Sequence, residues 1–235
     1  MAAYTGAALA ANGKKTLLIE LGGQARSLEL ILGVRESAFG MLDVFAGRCT
    51  PKEATIRVEG LPGLLFFLPA GDGANLWDTT AISLGGDVPG GTPEKLGQLI
   101  VSCREAFDFV VVDGADISGL PIPLVDTFLM VVTPDTLSVR AGADFARRLY
   151  RAGAREVRLV INNVPAKIIP IEGAQDFDDV IDIIGARLIS VIPQSPKLAF
   201  CSNNAQPLDT QSLTVQIFEN LAGRLMGKRI PLLIR

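Results

Sequence analysis

What most constrains this chain is a series of short apolar runs with no polar alternation. They are KTLLIEL (Lys15 to Leu21), Leu64 to Leu68, FDFVVVD (Phe107 to Asp113), TFLMVVT (Thr127 to Thr133), VRLVIN (Val157 to Asn162) and RLISVI (Arg187 to Ile192). A strand with one wet face alternates apolar and polar residues, whereas a strand apolar throughout is covered on both faces. Between the runs the period changes to that of a helix. Residues 2–12 are small and end at Asn12-Gly13; Ser27 to Leu32 is closed by Gly33, and Met41 to Ala46 by Gly47. Thr92-Pro93-Glu94 opens a helix on which Leu96, Leu99, Ile100 and Cys103 share a face. Thr136 to Arg151, Asp178 to Ile184 and a last helix through Leu213, Ile217, Leu221 and Leu225 complete the pattern, and Gly71 to Gly91 reads as loop. The expected fold is α/β: a doubly wound, mostly parallel sheet with helices on both faces. With no repeat or linker in view, a single domain over residues 1–235 is expected.

Composition narrows the function classes. A chain of 235 residues that is 49% hydrophobic and 20% charged is not a disordered one. Its net charge of −3 argues against a nucleic-acid-coating protein, so no specific nucleic acid binding is expected. The absence of histidine excludes a Ser-His-Asp triad and a histidine metal cluster. Cys49, Cys103 and Cys201 are odd in number and widely spaced, which suits a reducing cytoplasm rather than a disulfide framework. The apolar runs are far shorter than the ~20 residues that span a bilayer, and residues 2–12 lack the basic start of a signal peptide.

Ligands of parallel sheets sit at the carboxyl ends of the strands. Glu20, Asp113, Thr133 and Asn162 fall there, and are expected on one rim of one sheet. Asp113, after four apolar residues, suits Mg²⁺ coordination through water, the Walker B role in a nucleoside triphosphatase; it also suits capping the next turn. Asn162 has an amide that can read a nucleobase edge, and it equally suits the start of a loop. The glycine cluster GGDVPGG at 85–91 lacks a G-K-[ST] ending and follows no strand, so it reads as a connection.

Taken together, several segments resemble the MinD/ParA family of deviant P-loop ATPases, the MinD branch in particular. AALAANGKKTLLIELGGQARSLELIL (Ala7 to Leu32) is similar to that family's first helix, second strand and switch I region. LDVFAGRC (Leu42 to Cys49), FDFVVVD, VVTPDTLSVRAGADFARRL, Val191-Ile192-Pro193 and Asn203-Asn204-Ala205-Gln206-Pro207 continue the likeness in order. The resemblance implies a P-loop nucleoside-triphosphatase fold and ATP with Mg²⁺ as cofactors. It assigns Asp113 to the metal, through water, and Asn162 to the base. It further implies a homodimer around nucleotide, a regulatory protein partner, and a cytoplasmic protein peripheral to the inner face of the membrane. The role implied is septum-site selection or a related spatial task.

Two departures bear on mechanism. The family's glycine-lysine phosphate loop and first strand would precede Met1. The expectation is therefore a chain lacking its first strand and P-loop, through a misread start codon or, alternatively, as a genuine fragment or degenerate paralogue. Such a chain leaves strand edges unpaired and holds a triphosphate weakly. The second departure is internal. Where the family's switch I carries a catalytic-water Asp, two residues after the acid matched by Glu20, this chain has Gly22, which can neither orient nor deprotonate water. No catalytic residue is therefore assigned, and hydrolysis is expected to be absent or slow. Asp113-Gly114-Ala115-Asp116 also departs from the family's usual switch II, and Asp116 is a possible substitute carboxylate. Arg26 stands where MinD proteins carry arginine, as an interface residue or a solvated charge.

Residues 224–235 mix Arg224, Lys228, Arg229 and Arg235 with six large apolar residues, a composition suited to an anionic bilayer. Gly227 and Pro231 break any long helical face, so a frayed tail after a packed helix is the plainer expectation. Two rival readings accompany the positioning ATPase: a pseudo-ATPase scaffold on the same fold, and an amidotransferase-like synthetase, which lacks a recognisable substrate domain here.

Overall fold

The computed structural model describes residues 1–21, 27–34, 37–71, 93–114, 120–165, 176–204, 206 and 212–232. Gly22, Arg26, Asp116, Ala205, Pro207, the 85–91 cluster and residues 233–235 lie outside the described residues. The chain divides into two compact units. One comprises Met1–Pro121 with Ala199–Pro207, the other Ile122–Leu198 with Leu208–Arg235.

The first unit opens with α1 (Ala2–Ala11), followed by β1 (Thr16–Glu20), α2 (Ser27–Leu32), α3 (Met41–Phe45), α4 (Pro51–Ala54), β2 (Ile56–Arg57), β3 (Leu65–Leu68), α5 (Pro93–Arg104) and β4 (Phe109–Asp113). Its sheet has the order β2-β3-β1-β4, parallel except for the β2–β3 pair. β1 is buried along its whole length, and its side chains alternate between two cores. Leu17 and Ile19 join Leu68, Met41, Leu96, Leu99, Ile100 and Cys103 on the side of α3 and α5. Leu18 joins Leu65, Phe67, Ala3 and Ala10 on the side of α1. The helices thus cover both faces, as continuous apolar strands require. The small residues of α1 allow a close approach: a β-carbon on Gly6 would come within 2.6 Å of a Leu18 methyl.

In the second unit a short 3₁₀ turn (Ile122–Leu124) precedes β5 (Phe128–Val132), α6 (Thr136–Arg151), β6 (Val157–Val164), α7 (Phe177–Ile184) and β7 (Arg187–Pro193); α8 (Pro196–Asn203) has residues in both units, and α9 (Leu213–Leu225) belongs to the second. Its strands form a parallel sheet in the order β5-β6-β7. Asp135 caps α6 by accepting from the Ser138 amide at 2.9 Å, and Asp176 caps α7 through Asp179 at 2.8 Å. Gly185, left-handed at φ 69°, ends α7.

Two expectations need correction. The described strands form two sheets, not one, so Glu20, Asp113, Thr133 and Asn162 do not share a single hydrogen-bonded rim. The reason lies in strand pairing: among the described residues β4 pairs only with β1, and β5 only with β6. β4, apolar in sequence, is consequently only half-buried throughout, and Val131 of β5 is 39% exposed. Second, α4, β2 and α8 are additional elements. α4 carries a legible signal in Thr50-Pro51-Lys52-Glu53, a capping box with proline at the first position. β2, two residues long, leaves no periodicity to read.

Candidate functional site

β1 and β4 run parallel with Glu20 opposite Asp113, so two carboxylates stand side by side where the strands end. The pairing continues one step, with the Leu21 amide donating to the Asp113 carbonyl at 3.0 Å. α1 packs across β1 and β4 with its first turn at this end. No side chain caps that first turn, so its backbone N–H groups keep the partial positive charge of a helix start. The amino group of Met1 is close enough to Asp113 for each to shift the other's titration. Burial lowers the amine's pKa and Asp113 partly restores it. Burial likewise raises the Asp113 carboxyl above the usual Asp value, and the Met1 charge partly offsets this.

The two carboxylates have different tasks. Glu20 is 5% exposed, and its Oε1 accepts from the Leu28 amide at 3.2 Å. It therefore fixes the start of α2, at the far end of the segment holding Gly22 and Arg26. Asp113 is less enclosed. Gly114 follows it closely against Leu21, where a β-carbon would lie 2.7 Å from the Leu21 Cδ1.

A hard carboxylate oxygen beside an uncapped helix start suits a divalent cation and phosphate oxygens together. Burial raises the Asp113 pKa, and a divalent cation beside the carboxylate would offset that penalty. No group of three His, Cys, Asp or Glu capable of holding a metal occurs among the described residues.

Thr133 and Asn162 lie in the second unit. They follow Val132 and Ile161, which are paired across β5 and β6, so these two residues share the carboxyl end of that sheet. Thr133 is engaged by the α6 cap: its hydroxyl donates to Asp135, and its amide donates to the Ser138 hydroxyl. Asn162 is half-buried in a strand that runs two residues beyond it to Val164. Its neighbour Asn163 has φ 58°, the single positive value at a non-glycine residue among the described ones, and the β6–β7 register shifts between Ile161 and Val164. Bulges of this kind re-aim side chains at strand ends. The sequence signal was the Asn-Asn pair, since asparagine tolerates the left-handed region.

No protein-family model matches the chain. The septum site-determining protein MinD of Synechocystis sp. is 27% identical over 240 residues, covering 98% of this chain and 85% of that protein. Among solved structures, the MinC:MinD cell division protein complex of Aquifex aeolicus matches with a TM-score of 0.82 and 27% identity, over 98% of this chain and 91% of that one. The fold is also that of MinD complexed with Mg-ADP from Pyrococcus horikoshii, with a TM-score of 0.74, 20% identity and coverage of 95% and 88%. The motif order, the parallel sheets with helices on their faces, the carboxylate pair at the strand ends and these likenesses agree: the chain is a MinD/ParA-like protein with the P-loop nucleoside-triphosphatase fold.

Proposed function

We propose that this protein is a nucleotide-dependent positioning protein acting in septum-site selection or a related spatial task. The observation that carries the reading is the register of Glu20 against Asp113 beside the start of α1. In this reading Asp113 holds Mg²⁺ through water, and the first-turn amides of α1 face the phosphates. Bound Mg²⁺ would neutralise phosphate charge. Glu20 keeps α2 in place, and Asn162 reads the base. ATP joins two copies, and a regulatory protein partner acts on the dimer, in line with the MinC:MinD complex of the Aquifex relative. The expected location is cytoplasmic, peripheral to the inner face of the membrane. No helix among the described residues is long and apolar enough to cross a membrane.

Gly22 stands in the place of the switch I carboxylate, so hydrolysis is expected to be slow. The pseudo-ATPase scaffold is the second reading, and Gly22 favours it. Gly22→Asp separates them when made in the protein expressed from its own chromosomal reading frame. A positioned carboxylate should raise single-turnover phosphate release about 100-fold. An unchanged rate, with nucleotide still bound, favours the scaffold.

A further inference from the structure

The segment after α9 is neither a helix nor a frayed tail, which corrects the expectation for residues 226–232. α9 ends at Leu225, and Gly227, at φ 82°, turns the chain back. Arg224 then clamps the returning segment. Its Nε donates to the Ile230 carbonyl at 3.0 Å, Nη2 to the Pro231 carbonyl at 2.5 Å, and Nη1 to the Ile189 carbonyl of β7 at 2.8 Å. Ile230 seats over Gly223, where a β-carbon would come within 2.4 Å of its Cδ1.

All three acceptors are neutral. Among the described residues no carboxylate pairs with Arg224, and burial pushes its pKa down. Withdrawing a guanidinium from water without a counter-charge is costly, and an anionic oxygen adds a charge–charge attraction that a neutral carbonyl lacks. The same crevice is lined by Ser190, Asn220 and Leu232. Ser190 is 1% exposed, and its hydroxyl has no hydrogen-bond partner. The crevice holds no room for a water molecule, so solvent does not satisfy that hydroxyl in this state.

We propose that Arg224, Ser190 and Asn220 form a phosphate-binding site closed by the strap of residues 228–232, and that a phosphate group opens it by taking the guanidinium from the strap's carbonyls. The strap is suited to leave: Lys228, Arg229, Pro231 and Leu232 are exposed, and only Ile230 is half-buried. Guanidinium, hydroxyl and amide line one crevice, and together they suit a phosphate with its several acceptor oxygens. The phosphate can be free or carried by a lipid headgroup.

Hydrogen exchange at the Lys228 amide, which donates to the Gly223 carbonyl at 2.9 Å, tests this in the full chain. Inorganic phosphate should raise its exchange about tenfold over chloride at matched ionic strength. Arg224→Gln should exchange fast without phosphate and respond no further. Ser190→Ala, which keeps the clamp, should weaken the phosphate response several-fold; it carries the test alone if Arg224→Gln fails to fold. A headgroup source shows as faster exchange with phosphatidylglycerol vesicles, not with phosphatidylcholine, competed by free phosphate. A free-phosphate source shows no vesicle effect. Equal exchange in phosphate and chloride with no response to either vesicle overturns the proposal. So does a phosphate response that survives both substitutions.

Discussion

Asp113→Asn is expected to lower Mg²⁺-dependent nucleotide affinity about 10–100-fold, the range for groups that act on a metal through an intervening shell, while making the nucleotide-free protein more stable at neutral pH. The two effects share a cause. Burial raises the Asp113 pKa in the folded state above the usual Asp value. Stability from the proton on this group is fully present below the unfolded-state pKa and is lost as pH rises through the raised folded-state value. Asparagine is uncharged at every pH and keeps that contribution. The difference in melting temperature between variant and wild type should be small in acid, grow as pH rises through the raised pKa, and then level off. Thermal melts across this range, with and without Mg²⁺-ATP, check both arms. An Asn variant less stable than wild type at neutral pH would mean that the charge is already compensated within the fold.

Gly63→Ala is expected to be the most damaging single methyl addition in the first unit. Gly63 sits at φ +87°, where an L side chain costs about 1–3 kcal/mol. Its new β-carbon would also lie 2.0 Å from the Ala10 carbonyl oxygen and 2.4 Å from the carbonyl carbon. Those atoms are backbone at the end of α1, where Ala10 also accepts from the Gly13 amide, so they yield less easily than a side-chain tip. Overpacking adds about 1–3 kcal/mol, which together lowers the melting temperature by about 4–24 °C for a chain of this size. Gly60→Ala is the control. It shares the positive φ, at +77°, but its β-carbon would meet nothing within 4 Å. Gly60→Ala should cost only the backbone strain, and the excess at Gly63 measures the close approach. Equal melting temperatures for the two variants would contradict that account.

The α/β class was legible because burial on both faces leaves a plain mark: β1 and β3 read as apolar throughout and pack between two layers of helices. Helix ends were legible where chemistry fixes them, as at Gly33, Gly47 and the Thr136–Arg151 helix. Apolarity alone did not reveal which strands pair. Phe109–Asp113 reads as a strand covered on both faces, yet among the described residues β4 ends its sheet and is half-buried. At the candidate site, Asp113 and Glu20 were visible as carboxylates that end apolar runs, and their shared register follows from the parallel pairing. The division of labour between them was not visible, since it depends on the amide of Leu28, eight residues along the chain from Glu20. Arg224 was read as one basic residue in a mixed tail. Its task depends on Gly227 reversing the chain so that Ile230 and Pro231 return to it, a three-dimensional fact that composition does not encode.

The most direct measurement is the mass in solution of the protein expressed from its own chromosomal reading frame, with and without Mg²⁺-ATP, for wild type and Asp113→Ala. The account predicts that Mg²⁺-ATP drives the wild type to a dimer that persists, because Gly22 leaves hydrolysis slow, and that the variant stays monomeric. A wild-type mass unchanged by Mg²⁺-ATP, or a variant that dimerises as readily, would contradict it.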